Sequence, residues 1–81
     1  MSRHEKILQK VVDGKSDANI RFSDLCHMLS QLGFNMRIRG SHHLFTKSGV
    51  VEMINLQSEG SVAKPYQVRQ VRKILLSYKL L

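Results

Sequence analysis

Two adjacent histidines, His42 and His43, are the residues of this chain best suited to proton-transfer chemistry. They belong to the segment GSHHLFTK at residues 40–47, whose tail alternates apolar and polar residues as a strand does. Neighbouring side chains of a strand point to opposite faces. We therefore expect at most one imidazole to take part in chemistry and the other to have a different role.

Cations on both sides of this pair would allow it to cleave RNA. A neutral imidazole can take the proton of a ribose 2′-hydroxyl, which then attacks the adjacent phosphodiester, while positive charge stabilises the phosphorane that forms. Arg37, Arg39 and Lys47 are near enough along the chain to supply that charge. A single histidine is an incomplete acid–base set, so the alternative is a pair of ordinary strand-edge histidines that bind nothing.

The sequence lacks the motifs of other common chemistries. Its Cys-His and His-His pairs, at residues 26–27 and 42–43, are adjacent, whereas zinc ligands are normally separated by two to four residues. Only six acidic residues are present, and no two are spaced for glycoside or two-metal chemistry. Neither a P-loop nor a nucleophile elbow occurs. We therefore expect neither a metal nor a cofactor.

Most of the positive charge lies in the half of the chain that contains the histidines. Residues 1–33 hold five Lys/Arg against four Asp/Glu, whereas residues 34–81 hold eight against two. Such a surface attracts a polyanion, for which the alternative is a solvated basic surface without a partner. No apolar run reaches the roughly 18 residues that cross a membrane. The N-terminus lacks a secretory signal, and the lone Cys26 fits a reducing cytoplasm.

Hydrophobic periodicity predicts three helices. The first covers about residues 3–12 and is followed by turn-forming residues. The second is expected to begin with Ser23 as its N-cap and to end at Gly33. Its apolar face comprises Leu25, Met28, Leu29 and Leu32. Pro65 opens the third helix at its first position. The apolar face of this helix comprises Val68, Val71, Ile74, Leu75 and Tyr78, and its basic side comprises Arg69, Arg72 and Lys73.

Between the last two helices the period changes to two, which predicts three antiparallel strands. In the first strand Phe34, Met36 and Ile38 form the face expected to be buried, and Arg37 and Arg39 lie on the other. HHLFTK and VVEMINL make the next two strands, joined by a Ser-Gly turn. The economical packing is an α+β domain at residues 21–81, with the helices on one face of the sheet. Residues 1–20 then form an added helix and linker.

Four segments in this order resemble the HicA family of toxins from bacterial toxin–antitoxin systems. They are LSQLGF, NMRIRG, GSHHLF and KPYQVRQVRKIL, within residues 22–78. The resemblance implies a fold like the double-stranded RNA-binding domain, dsRBD-like, and a metal-independent endoribonuclease that cleaves mRNA in the cytoplasm. It also implies a cognate HicB-like antitoxin that covers the active face and assembles with the toxin. In the third strand, where members of the family often carry VPxH, this chain has MINLQ.

The resemblance makes His42 the catalytic residue. The supporting or RNA-contacting residues are then expected to be Gly40, Ser41, His43, Arg37, Arg39, Lys47, Lys64, Arg69, Arg72 and Lys73. Gly40 either allows a phosphate to approach the backbone or permits a tight bend. The alternatives are a non-catalytic RNA-binding domain of the same fold and a protein-interaction module without a nucleic-acid role.

Overall fold

Along the chain, α-helices come both before and after a central run of strands. The structure is a computed structural model that describes residues 3–80, with side chains described from residue 5. In chain order its elements are α1 (Arg3–Asp13), a 3-10 turn (Asp17–Asn19), α2 (Phe22–Gln31), β1 (Asn35–Arg39), β2 (His42–Lys47), β3 (Val50–Leu56), β4 (Ser58–Glu59), β5 (Val62–Ala63) and α3 (Pro65–Ser77). The architecture is α+β, as predicted. The small hairpin β4–β5 forms in a segment that the sequence predicts as a loop.

The main sheet is antiparallel and has the strand order β1-β2-β3. In the central strand, Leu44 lies opposite Arg37 of β1 on one side and opposite Asn55 of β3 on the other. Phe45, Ile54 and Leu56 are buried on the face that the helices cover. We call the opposite side the open face. It carries Asn35, Arg37, Arg39, His42, Leu44, Thr46, Met53 and Asn55.

The hydrophobic core lies between the covered face and the helices, and every helix contributes to it. Its buried members are Ile7, Val11, Ile20, Leu25, Met28, Leu29, Phe34, Phe45, Ile54, Leu56, Ala63, Val68, Val71, Ile74 and Leu75. The predicted apolar faces of α2 and α3 supply most of the helical members. Because α1 also supplies two residues, the N-terminal segment shares its core with the rest of the chain.

The start of α2 differs from the prediction. The helix begins at Phe22 with Arg21 at the N-cap position, and no side chain caps it. Ser23, predicted as the N-cap, lies in the first turn. The reason is a contact distant in sequence, since the Phe22 N–H donates to the carbonyl oxygen of Ser61 at 3.0 Å. The segment joining β4 to β5 thus satisfies the N–H of the first helical residue, one of the four donors that have no partner within the helix.

The predicted end of α2 is confirmed. Gly33 has a φ of +97°, its N–H donates to Ser30 O, and the Phe34 N–H donates to Leu29 O, both at 3.1 Å. This is the Schellman arrangement, which needs a residue that tolerates left-handed backbone. Phe34 is buried just beyond it and leads the chain into β1.

The apolar side of β1 is less buried than the alternation predicts. Met36 and Ile38 are on the covered side of the sheet, but 47% and 55% of their surface is exposed. The cause is topological, because β1 is an edge strand that pairs only with β2. The helices pack over Phe45 and Ile54 of the other two strands and leave this edge partly uncovered.

Two polar contacts join elements that are distant in sequence. The Arg72 guanidinium of α3 donates to both carboxylate oxygens of Asp17, at 2.9 and 3.2 Å, and to the carbonyl oxygen of Val11 at 3.1 Å. Tyr78, at the end of α3, donates its hydroxyl to the Glu52 carboxylate at 2.6 Å. These contacts attach the linker after α1 to the middle of α3, and β3 to its C-terminal end.

Candidate active site

The two histidines follow a tight turn and lie on opposite faces of the sheet, as strand alternation predicts. Gly40 and Ser41 connect β1 to β2, and Arg39 and His42 are the pair that closes the hairpin. Gly40 has a φ of +59°, whereas Ser41 does not have a positive φ. Positive φ at the first of two turn residues is typical of a type II′ hairpin, for which glycine is preferred. His42 is therefore held at the first position of its strand.

His43 has a packing role on the covered face. Its ring meets Phe22 of α2 edge-on, with the centroids 4.8 Å apart and the planes at 82°. Its Nδ1 atom is buried and has no hydrogen-bond partner among the described residues. A buried N–H without an acceptor is costly, so a hydrogen on Nδ1 would be unfavourable at this position. His43 thus fills space between the sheet and α2.

His42 is exposed on the open face and contacts Asn55 of the neighbouring strand. The His42 Nδ1 atom lies 3.0 Å from Asn55 Oδ1. An amide oxygen can only accept, so the imidazole donates its Nδ1–H, and in the neutral ring the lone pair is then on Nε2. Nε2 has no partner within the described residues and is open to a ligand. The contact with Asn55 thus fixes the orientation of the ring and decides which nitrogen is left free.

A chain of polar groups connects the turn before His42 to the start of α3. Gln57 Nε2 donates to Ser41 Oγ at 2.9 Å, and Lys64 Nζ donates to Gln57 Oε1 at 3.2 Å. The backbone N–H of Gln57 donates to Oε1 of Gln67, which is buried. Lys64, the N-cap residue of α3, is thereby held on the side of the molecule that carries the Gly-Ser turn.

Two unpaired arginines accompany His42 on the open face. Arg39 lies directly opposite His42, and Arg37 lies opposite Leu44, two residues further along each strand. Both arginines are exposed, and neither has an ion-pair or side-chain hydrogen-bond partner in the described part of the chain. Their donors are therefore available to an anion. The structure brings these two predicted cations to the histidine.

The other predicted cations are placed elsewhere. Lys47 is at the far end of β2, about 16 Å from His42 at strand spacing. Its Nζ lies against Gly33, where it suits the negative end of α2. Arg72 is engaged by Asp17. Arg69 and Lys73 are exposed on the outer side of α3, and Lys73 lines a separate groove with Glu52.

A shallow groove continues along the open face from Arg37. Its volume is about 320 Å³, and it is lined by Asn35, Met36, Arg37, Leu44, Thr46 and Met53. Met53 is 52% exposed, and no hydrogen bond to the side chain of Asn35 or Thr46 occurs within the described residues. The groove therefore combines the half-exposed thioether of Met53 with free amide and hydroxyl groups.

The described residues offer no group of three or more His, Cys, Asp or Glu side chains arranged to hold a metal ion. Burial raises the pKa of the Cys26 thiol to about 11, so Cys26 is not a thiolate nucleophile at neutral pH. Within residues 3–80, no helix is long and apolar enough to cross a bilayer.

No protein-family model matches the sequence, and neither a curated protein nor a solved structure matches it.

Three polar residues of the site are absent from the sequence-based expectation. They are Asn55, Gln57 and Gln67. The alternation of MINLQ places Asn55 opposite in direction to the buried Ile54 and Leu56, which is a signal for the open face. Its position beside His42 depends on the register of β2 against β3, which no local pattern specifies. Nothing in the sequence indicates that Gln57 and Gln67 belong to the site, because amides in a loop and in a helix are normally solvated.

Proposed function

We propose that the protein is a metal-independent endoribonuclease that cleaves mRNA, with His42 as its catalytic residue. The observation that carries the proposal is the contact between His42 Nδ1 and Asn55 Oδ1, which leaves Nε2 free on a face that also presents Arg39. These are the groups needed to take a proton from a 2′-hydroxyl and to stabilise the charge that follows. The exposed histidine is thus oriented and accompanied by a cation.

The reaction uses the RNA itself as nucleophile. His42 Nε2 takes the ribose 2′-hydroxyl proton, and the 2′-oxygen forms a bond to the neighbouring phosphorus. The bond from phosphorus to the 5′-oxygen breaks, and this oxygen receives a proton from solvent on the open face. The products are a 2′,3′-cyclic phosphate and a 5′-hydroxyl. Arg39 stabilises the negative charge that develops on the phosphorane, because a guanidinium can donate two parallel hydrogen bonds to phosphate oxygens.

The fold and the sequence support a toxin of the HicA type. A helix, three antiparallel strands and a helix, from α2 to α3, occur in the order expected of the dsRBD-like class. The HicA-like segments GSHHLF and KPYQVRQVRKIL supply His42 and the start of α3. We assign the protein to the cytoplasm, where its mRNA substrate is.

The edge of the sheet provides a surface for an antitoxin. β1 has an unpaired side, and Met36 and Ile38 are half-exposed beside it. Arg37 and Arg39 add positive charge on the neighbouring face. A HicB-like partner with an acidic surface would cover this edge and the catalytic histidine together. Induced cells should stop growing, and co-expression of such an antitoxin, or the change His42→Ala, should restore growth.

The decisive experiment compares cleavage of one RNA by purified wild type, His42→Ala and His43→Ala, with folding checked by circular dichroism. His42→Ala should lose about 10²–10⁴ in rate, the usual effect of removing a positioned acid or base. His43→Ala should lose about one decade, through the contact with Phe22. Asn55→Ala should lower kcat by up to about 100-fold with little change in KM, because it misorients the ring. A chelator should have no effect.

A non-catalytic RNA-binding domain is the second candidate. It is favoured by the absence of a second acid–base side chain in contact with His42 among the described residues. In that case the open face would bind the backbone of RNA through Arg37 and Arg39. This candidate would be selected if wild type, His42→Ala and His43→Ala all bind RNA tightly and none of them cleaves it. Active His42→Ala with inactive His43→Ala would reverse the assignment of the two histidines.

A further inference from the structure

The groove on the open face has the size and lining of a site for a flat, polar ring. Its volume of about 320 Å³ is at the lower end of the range for small-ligand sites, roughly 300–1,000 Å³. Leu44 and Met53 provide apolar contact, and the sulfur of methionine interacts favourably with aromatic rings. The side chains of Asn35 and Thr46 add hydrogen-bonding groups that have no partner within the described residues.

The position of the groove relates it to His42. We call each pair of opposite residues of β1 and β2 a rung. On the open face, three rungs follow one another along the two strands: Arg39 with His42, Arg37 with Leu44, and Asn35 with Thr46. Consecutive rungs on one face are two residues apart, which is about 6.6 Å. This separation resembles that of consecutive phosphates in an extended single strand. The groove thus begins one nucleotide step from the histidine.

The charges of the ladder are arranged for a polyanion that runs along it. Arg39 and Arg37 occupy successive rungs and are both unpaired within the described residues. Single-stranded nucleic acids are held by cations that follow the backbone and by side chains on which the bases lie. A phosphate at His42 and Arg39, and the next at Arg37, would direct the intervening base toward Leu44 and Met53.

From this geometry we infer that the groove is a nucleobase subsite for the nucleotide next to the cleaved bond, and that it favours adenine. The preference follows from Asn35, since an asparagine amide can accept from N6 and donate to N7 of adenine with both of its arms. The inference rests on the proposed function, because it places the cleaved phosphate at His42. It adds that the enzyme selects the RNA sequence through β1 and β2.

The test observes the groove directly, by methyl NMR of full-length His42→Ala protein labelled at its methionines. Met53 lines the groove on the open face, whereas Met28 is fully buried in the core and serves as the internal reference. The probes are the RNA tetranucleotides of adenosine and of uridine, which carry equal charge. The adenosine probe should shift the Met53 signal with about tenfold higher affinity than the uridine probe, and the Met28 signal should stay in place.

A matched pair of variants isolates the amide. Asn35→Ala should bring the two probes to equal affinity, whereas Asn19→Ala, at an exposed position in the linker after α1, should preserve the difference. In His42-containing protein, cleavage sites mapped on a mixed-sequence RNA should lie next to adenines and should lose that bias in Asn35→Ala. Circular dichroism verifies that both variants fold.

The outcomes separate this inference from the proposed function. If RNA is cleaved but Met53 does not respond, or responds equally to both probes, the subsite is refuted and the proposed nuclease activity is retained. If Met53 responds selectively but RNA is not cleaved, the subsite belongs to an RNA-binding domain.

Discussion

The ion pair of Arg72 with Asp17 contributes to the free energy of unfolding by an amount that can be estimated from its burial. The change Arg72→Met tests that estimate. Methionine keeps a long apolar stem and removes the guanidinium. The carboxylate of Asp17 then loses two donors, and the Val11 carbonyl, in the last turn of α1, loses its capping partner. We expect α1 and its linker to be held less firmly against α3.

The magnitude follows from the burial of the pair. The side chains of Arg72 and Asp17 are 21% and 15% exposed, so the pair lies between a surface pair and a buried one. Exposed pairs contribute about 0–1 kcal/mol to the free energy of unfolding, and removing one partner of a buried pair costs about 3–5 kcal/mol. An intermediate loss of about 2 kcal/mol is expected. For a domain of this size that lowers the Tm by roughly 10 °C.

The assay is urea unfolding followed by circular dichroism, with Arg69→Met as the control. Arg69 is exposed on the same helix and has no ion-pair partner within the described residues, so its loss should change the unfolding free energy by less than about 0.5 kcal/mol. Combining Arg72→Met with Asp17→Ala should cost less than the two changes separately, since both remove one contact. Equal stability of Arg72→Met and Arg69→Met would refute the reasoning, and so would additivity in the double variant.

Three further predictions concern binding, pH and packing. Arg39→Ala should reduce the slope of log affinity against log salt for single-stranded RNA by about 0.7, and a variant with an unchanged slope would remove Arg39 from the phosphate contacts. The hydrogen bond between Tyr78 and Glu52 lowers the pKa of Glu52 from its ordinary 4.5 and raises that of Tyr78 from 10.0. Wild type should therefore have a higher free energy of unfolding than Tyr78→Phe, by an amount that is constant near neutral pH. This difference should decline as the pH falls below 4.5 and also as it rises above 10.0. Urea midpoints of both proteins, measured across this pH range, test the prediction. Leu29→Asp should lower the free energy of unfolding by at least about 4 kcal/mol, because it puts an unpaired carboxylate in the core. His27→Ala, on the exposed side of α2, should leave it nearly unchanged. Equal thermal midpoints for the two variants would contradict the orientation of the helix.

Local patterns were sufficient to predict the helices, the three main strands and that the two histidines point to opposite faces of the sheet. A helix with apolar residues at three- and four-residue spacing has only one face that can be buried, as Leu25, Met28 and Leu29 show. Neighbouring residues of a strand must diverge, so His42 and His43 could not share a site. Gly33 and Gly40 marked the ends of elements because both have the left-handed backbone that glycine tolerates.

Only the tertiary structure decided which of the chemically suitable residues lie together. The register of β2 against β3 puts Asn55 beside His42, although they are 13 residues apart. Packing sends Lys47 to the end of α2 and commits Arg72 to Asp17, whereas local charge patterns treat all cations alike. The edge position of β1 leaves Met36 half-exposed, since a strand's burial depends on what covers it. Register and packing are set by contacts between distant segments, and a local pattern contains no information about those.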